Sequence, residues 1–221
     1  MSVAPGTLVI ASGNATDRKL LAATLGGRLD PLSGRAQVAG HPLPSESGPV
    51  SRLVALEDVG GSDRVEVRVG VGDLLLERIS LTQPWYRGGR HRQVRAWVAR
   101  INTAIGALEA HLEPVNELSG IDQLPQLQRA VALSAVALAE NTPVVMLDQL
   151  DAFANPTDEA AFLKALDDLA PATTTIVLGT PVTPRDYETA GLDQHVARLD
   201  LHALRAWTLE QNELSRKAAL A

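Results

Sequence analysis

The chain has 221 residues, of which 45% are hydrophobic and 21% charged, and its formal net charge is −6. This length fits one domain with a sizeable core, and the composition is that of an ordinary globular protein. The negative charge argues against attraction of the whole surface to nucleic acid or acidic lipid. The absence of cysteine excludes disulfides and thiolate metal sites. No secretory leader pattern or membrane-spanning run is present, so we expect a cytoplasmic protein.

A strand, a turn and a helix are predicted at the start of the chain. The run TLVIA at 7–11 is a short apolar strand, and Gly13 in the following SGN ends it. The segment DRKLLAATL has helical spacing, with an inward face formed by Leu20, Leu21, Thr24 and Leu25. Either Thr16 or Asp17 can cap this helix, because a short oxygen side chain accepts hydrogen bonds from the free first-turn N–H groups.

Strands, and then helices alternating with strands, are predicted further along. Segments 35–44 and 52–59 are typical of strands broken by Gly and Pro, and 64–71 alternates at period two, which indicates a half-exposed sheet. Apolar residues then fall at helical spacing over 91–112 and 126–139.

The last third of the chain predicts two buried strands with a helix between them. The runs at 143–148 and 173–180 are continuously apolar, as in strands covered on both faces of a parallel sheet. Strand, helix and strand, with a helical insertion between the first such unit and the last, indicate an α/β fold.

The order of these segments resembles the ATP-binding cassette domain, the motor subunit of ABC transporters. PGTLVIASGN is similar to the strand entering the cassette P-loop, and the next stretch ends in the family's Pro-x-Ser-Gly turn at Pro31, Ser33 and Gly34. NELSGIDQ resembles the LSGGQ signature. PVVMLDQLDAFANP resembles Walker B with its D-loop, and TIVLGTP resembles the strand before the switch histidine.

The resemblance implies a P-loop NTPase-like nucleotide-binding domain over residues 1–221, with a mostly parallel sheet. Its α/β core would span about 1–72 and 140–205, and a helical subdomain would span about 73–139. Because the chain starts immediately before the P-loop strand, we expect it to lack the family's usual N-terminal strands.

The P-loop itself departs from GxxxxGK[ST] in either of two registers. Counting back from Pro31 puts Arg18 on the invariant lysine and Lys19 on the Ser/Thr, and replaces the three glycines by Ser12, Ala15 and Asp17. Counting from Gly13 keeps Lys19 as the lysine, but Arg18 then replaces a glycine and Leu20 the hydroxyl residue. The glycines let backbone N–H groups close around the β-phosphate, so both registers predict an obstructed cradle.

The other sites that cassettes use to bind and hydrolyse ATP also lack their usual residues. Asp148 occupies the Walker B aspartate position, but Gln149 follows it where cassette hydrolysis uses a carboxylate, and an amide cannot accept the proton. Pro181 replaces the switch histidine, and the signature diverges after Gly120. The resemblance thus implies Asp148 and Gln149 as the catalytic positions, and Asp148 as the only magnesium ligand. Its ATP-contacting positions would be Asn14, Arg18, Lys19, Ser119 and Gly120.

These losses predict a degenerate cassette without a cofactor, which contributes architecture or regulation to a membrane-protein complex. The alternative is an enzyme that binds ATP and magnesium in a composite site shared with a partner cassette. Either interpretation implies a partner, which is an integral membrane protein or a second cassette in a homodimer or heterodimer. The protein would then lie at the inner face of the membrane. Neither interpretation implies binding to nucleic acid. Plainer structural interpretations remain: SGNATDRK as a capped turn, Asp148 as an acceptor for backbone N–H groups, and LSG as a helix cap.

The arginine-rich segment 86–100 is not explained by packing in a hydrophobic core. Residues 86–100 hold five arginines, one histidine and no acid in a chain that is acidic overall. They form either a solvated face or, in the helical subdomain that the resemblance implies, a surface for an acidic partner or lipid headgroups. The pair Gly88 and Gly89 would let the segment hinge.

Overall fold

The computed structural model describes residues 2–31, 33–58, 69–84, 86–107, 112–148, 153, 156–181, 192 and 195–203. Its strands are β1 (Leu8–Ser12), β2 (Ala36–Val38), β3 (His41–Leu43), β4 (Val54–Asp58), β5 (Val144–Asp148), β6 (Thr175–Thr180) and β7 (Val196–Asp200). Its helices are α1 (Ala15–Leu25), α2 (Ser47–Val50), α3 (Val71–Thr82), α4 (Arg90–Gly106), α5 (Gln126–Leu138) and α6 (Pro156–Leu169), with a 3₁₀ turn at Ile121–Gln123. No helix in these residues is long and apolar enough to cross a membrane.

Five strands form one parallel sheet in the order β4-β5-β6-β1-β7, and β2 and β3 form a separate antiparallel hairpin. Because all five strands run the same way, their carboxyl ends meet at one edge of the sheet. Ser12 is paired in register with Thr180 on one side and Asp200 on the other. In an open α/β sheet, this carboxyl edge is where ligands bind.

Both faces of the sheet are covered, which confirms the predicted mostly parallel α/β fold. Leu8 and Ile10 belong to the larger core, which contains the packed faces of α3 to α6. Val9 and Ala11, which point the opposite way along the same strand, belong to a smaller core with residues of α1 and the β2–β3 hairpin. The apolar runs of β1, β5 and β6 are therefore continuous because each residue has a covered side.

Helices α3, α4 and α5 pack on one another, and α5 also packs on β4 and α6. Eleven of the thirteen residues of α5 are buried, and many of them are alanines that allow close approach of neighbouring elements. The division into a core and a helical subdomain at 73–139 stays a prediction, although α3 already begins at Val71.

Two predicted elements differ from the structure. The period-two segment 64–71 falls mostly outside the described residues, and at its end Val71 starts α3 instead of closing a strand. The helix predicted over 91–112 ends at Gly106, and Leu112 lies beyond it. Glycine is a poor helix former, and the chain returns so that Val115 exchanges two hydrogen bonds of 2.8 Å with the Asn102 side chain.

Candidate functional site

The connection between β1 and α1 consists of two residues, Gly13 and Asn14, at the carboxyl edge of the sheet. Asn14 is the N-cap, and its Oδ1 accepts from the backbone N–H of Asp17 at 2.9 Å. The prediction of Thr16 or Asp17 as the cap is therefore wrong, because the helix begins two to three residues earlier than expected and both residues lie inside its first turn. Asn14 Nδ2 also donates to Asp17 Oδ2 at 2.7 Å. Asp17 therefore contacts both ends of the Asn14 side-chain amide, through its backbone N–H and through its carboxylate.

Arg18 is the buried residue of α1, with a side chain only 3% exposed. Its Nε donates to Asp148 Oδ1 at 2.7 Å, and its Nη1 donates to the carbonyl of Gly13 at 2.8 Å. The predicted apolar inward face is thus wrong in part: Leu20 is 48% exposed, and the helix turns a cation inward instead. That orientation is stabilised by a partner at the end of β5, where Asp148 can pair with the guanidinium.

Gly179 on β6 makes room for this ion pair. A Cβ atom added there would collide with Asp148 Oδ1 and would lie 3.2 Å from Arg18 Cδ. The strand needs a residue without a side chain at this position because the pair crosses directly above it. The sequence analysis did not identify Gly179 as a site residue, although a glycine inside an otherwise apolar strand is the signal that a close approach leaves.

The remaining residues of the predicted nucleotide site do not join this pair in the described structure. Lys19 and Asn14 are exposed. Gln149 and Asn155 lie outside the described residues, and Pro181 follows β6 on the surface. The described residues contain no group of three or more His, Asp or Glu side chains arranged to hold a metal ion.

The segment corresponding to the signature forms a tight turn before the 3₁₀ turn. Ser119 Oγ accepts from the N–H of Asn116 at 2.9 Å, and the Ser119 N–H donates to the Asn116 carbonyl at 3.1 Å. Gly120 pairs with Gly70 in an isolated bridge. Ser119 does not cap α5, which begins at Gln126 without a side-chain cap, so the helix-cap interpretation of LSG is wrong.

The carbonyls of this turn instead cap the start of α3. The N–H of Val71 donates to Ser119 O at 3.0 Å, and that of Gly72 donates to Glu117 O at 2.9 Å. Two of the first-turn N–H groups of α3 are satisfied in this way. The turn is consequently fixed to α3 by its backbone, while the Leu118 side chain stays 90% exposed.

Two further polar contacts connect the α3 region to β4 and to α4. Glu57 Oε2 accepts from Arg78 Nη2 at 2.7 Å, and Arg78 also pairs with Glu140. Gln83 Nε2 donates to Gln93 Oε1 at 2.7 Å, between the end of α3 and the start of α4. Both contacts join neighbouring secondary-structure elements.

The arginines of segment 86–100 divide into two groups. Arg90 donates to the carbonyl of Pro84 at 3.1 Å, and Arg100 donates to the carbonyl of Leu169 while stacking 4.2 Å from the Trp97 ring centroid. Burial lowers the pKa of Arg100 below its usual value. The other group, Arg87, Arg92 and Arg95, is exposed, and Arg100 is exposed as well despite its contacts, so most arginines of the segment form a solvated face.

Solved structures with this architecture are ATP-binding cassettes. CbiO1 from Clostridium perfringens, part of the ABC transporter complex CbiONQ, matches with a TM-score of 0.61 and 17% identity, over 81% of this chain and 69% of its own. The chain has the fold of an ATP-binding cassette domain. A bacterial ABC transporter cassette, solved as a dimer, matches this cassette fold with a TM-score of 0.61 and 17% identity, over 91% of this chain and 84% of its own.

A post-hydrolysis structure of that bacterial cassette, bound to ADP and Pi, matches with a TM-score of 0.59 and 18% identity, over 91% of this chain and 84% of its own. The sequence matches no protein-family model and no curated protein. The likeness therefore lies in the cassette fold, and the chemistry at its carboxyl edge has to be argued from the residues of this chain.

Proposed function

We propose that this protein is a degenerate ATP-binding cassette subunit that does not hydrolyse ATP and has a structural or regulatory role in a membrane-protein complex. The observation that carries the proposal is the ion pair between Arg18 and Asp148 at the carboxyl edge of the sheet. In this place a cassette would hold nucleotide phosphates and magnesium, and here the chain supplies its own cation.

The backbone around α1 does not fit a phosphate cradle. A P-loop wraps several free N–H groups around a phosphate. In this chain the N–H of Gly13 donates to Thr180 O at 2.9 Å, and the N–H of Arg18 donates to Asn14 O at 3.0 Å. The N–H of Asp17 is taken by the Asn14 side chain. A two-residue connection leaves little backbone to converge on an anion.

The carboxylate of Asp148 does not fit magnesium either. Magnesium is held by one or two carboxylates together with substrate phosphates, and Asp148 Oδ1 already lies 2.7 Å from a guanidinium nitrogen. Asp148 Oδ2 is buried and has no hydrogen-bond partner among the described residues, but a metal ion bound to it would lie beside the Arg18 guanidinium, whose positive charge repels a cation. The pair thus favours a site without metal.

Hydrolysis would also need a group that accepts a proton from water. The residue after Asp148 is Gln149, and an amide does not act as such a base. Pro181 at the end of β6 has no side-chain donor for a γ-phosphate. Catalysis is therefore not expected from this chain alone.

The partner follows from the cassette fold. CbiO1 is part of an ABC transporter complex, and the bacterial cassette is a dimer. By analogy, this chain would attach to an integral membrane protein or to a second cassette, and so lie at the inner face of the membrane. Helices α3 to α5 would form its helical subdomain, about residues 73–139.

A composite-site enzyme is the second candidate. It is favoured by the exposure of Lys19, which leaves one cation available beside α1. It is disfavoured by the turn at Ser119, whose hydroxyl and N–H are both bonded to Asn116. Those are the groups that a signature motif would turn toward a partner's nucleotide.

The two candidates separate in an affinity purification of the tagged protein from detergent-solubilised membranes of its own host. We expect a polytopic membrane protein in stoichiometric amount, and ATP turnover of the purified complex that is unchanged by Lys19→Ala or Ser119→Ala. Turnover that falls at least tenfold with either substitution would support the composite-site enzyme. Recovery of the protein alone, without a membrane protein, would overturn the proposed role.

A further inference from the structure

An open groove of about 730 Å³ lies at the amino edge of the sheet, opposite the Arg18–Asp148 pair. One side is formed by residues that precede β4 and β5, including Arg52 and Asn141, and the other by residues between α3 and the first turns of α4. Four of the lining residues offer charge or apolar surface to a ligand: Arg52, Leu81, Arg87 and Trp97.

The groove is positively charged although the chain is acidic. Arg52 and Arg87 are exposed, come from different segments, and make no side-chain hydrogen bond or ion pair with the described residues. The acidic lining residue Glu140 shares the single guanidinium of Arg78 with Glu57, so this cluster keeps one net negative charge. Arg52 and Arg87 outnumber that one negative charge in the described lining, and their local field attracts carboxylates.

The same groove also contains apolar surface. The side chain of Leu81, at the end of α3, is 72% exposed. Trp97 lines the same groove, packs partly against the larger core and is held by the Arg100 guanidinium at 4.2 Å. A rigid indole beside an exposed leucine gives a short apolar strip, and arginine and aromatic side chains are enriched where proteins bind one another.

We propose that this groove binds an acidic amphipathic segment of a partner protein. Its carboxylates pair with Arg52 and Arg87, and an apolar side chain packs on Leu81 and Trp97. A groove lined by both arginines and apolar side chains fits a helix with an acidic face better than a nucleic-acid backbone, which the net charge of −6 would repel. A concave groove fits a protein segment better than it fits a flat membrane surface.

The chain provides a matched control on α4. Arg92 and Arg95 are exposed on α4 and do not line the groove. A general attraction between acids and this basic region would depend on all four arginines. Binding in the groove depends on Arg52 and Arg87 only.

The test uses a fluorescein-labelled synthetic peptide that forms an amphipathic helix with a Glu face and a Leu face. Its affinity for the full chain is measured by fluorescence anisotropy. We expect saturable binding with a Kd below about 100 µM, which Arg52→Glu with Arg87→Glu weakens at least tenfold. Arg92→Glu with Arg95→Glu should change the Kd less than threefold. Circular dichroism checks that all variants remain folded.

Three further arms use the same assay. The peptide with Gln in place of Glu should lose at least tenfold in affinity, and raising the salt from about 0.05 M to about 0.3 M should weaken the Glu peptide. Phosphatidylserine vesicles should not displace it. Absence of binding at about 1 mM peptide, equal losses in both double variants, or displacement by vesicles would each overturn the proposal. None of these outcomes depends on whether ATP binds at the other edge of the sheet.

Discussion

Arg18 Nε lies 2.7 Å from Asp148 Oδ1, although 130 positions of sequence separate the two residues. The contact joins α1 to the end of β5 across the carboxyl edge of the sheet. Arg18 is 3% and Asp148 16% exposed, so both charges are largely withdrawn from water. Buried charges of this kind are tolerated only as a pair, which makes each residue a requirement for the other.

Asp148→Asn should destabilise the fold by about 3 kcal/mol, because it leaves the Arg18 guanidinium buried beside a neutral amide. Urea denaturation followed by circular dichroism measures this as a lower midpoint with an unchanged slope. The matched control is Asp168→Asn, which removes the surface pair of Asp168 with Lys164 at 3.2 Å. Asp168 is 38% exposed, and such a pair contributes at most about 1 kcal/mol. Equal effects of the two substitutions would refute the role of the buried pair.

Gly179→Ala should lower the melting temperature, because the new methyl group would overlap Asp148 Oδ1 and press on Arg18. Overpacking of this kind costs about 1–3 kcal/mol. Gly106→Ala is the control, since no atom of the described residues lies within 4 Å of the added Cβ. In α4 that change should be neutral or slightly stabilising. Differential scanning calorimetry compares the melting temperatures of the two variants with that of the parent protein. A Gly179→Ala protein that melts at the same temperature as the parent would contradict the described geometry.

Asn14→Ala should cost about 1 kcal/mol of stability, because it removes the side chain that caps α1. Thr16→Ala, at a position that the sequence also offered as the cap, should change stability by less than about 0.5 kcal/mol. Chemical denaturation of both variants distinguishes the two caps. A larger loss for Thr16→Ala would restore the sequence-based assignment.

The buried strands were predictable from the sequence, and the inward face of α1 was not. Runs such as 143–148 and 173–180 identify strands covered on both sides because no residue in them has to meet water. In α1 the spacing of leucines indicated an apolar face, but a distant carboxylate decided the orientation. Nothing local to Arg18 in the sequence reports a partner at position 148.

The missed elements have local causes. Strand β7, at 196–200, is a short, partly exposed edge strand, so its apolar pattern is weak. The resemblance to cassettes pointed to Arg18, Asp148 and Ser119, because the order of the cassette motifs along the chain is enough to assign their positions. Their contacts were not foreseen: Arg18 with Asp148, and Ser119 with Asn116, depend on side-chain directions that spacing does not report.

The most direct test of the account is isothermal titration calorimetry of the purified protein with Mg-ATP, with the Lys19→Ala variant measured alongside. The proposed function places the Arg18–Asp148 pair where metal and phosphate would bind, so it predicts no saturable heat up to about 1 mM nucleotide for either protein. A Kd below about 1 mM corresponds to about 4 kcal/mol of affinity, which needs a formed site. Saturable binding of that strength would contradict the closed site, and its loss in Lys19→Ala would place the nucleotide beside α1.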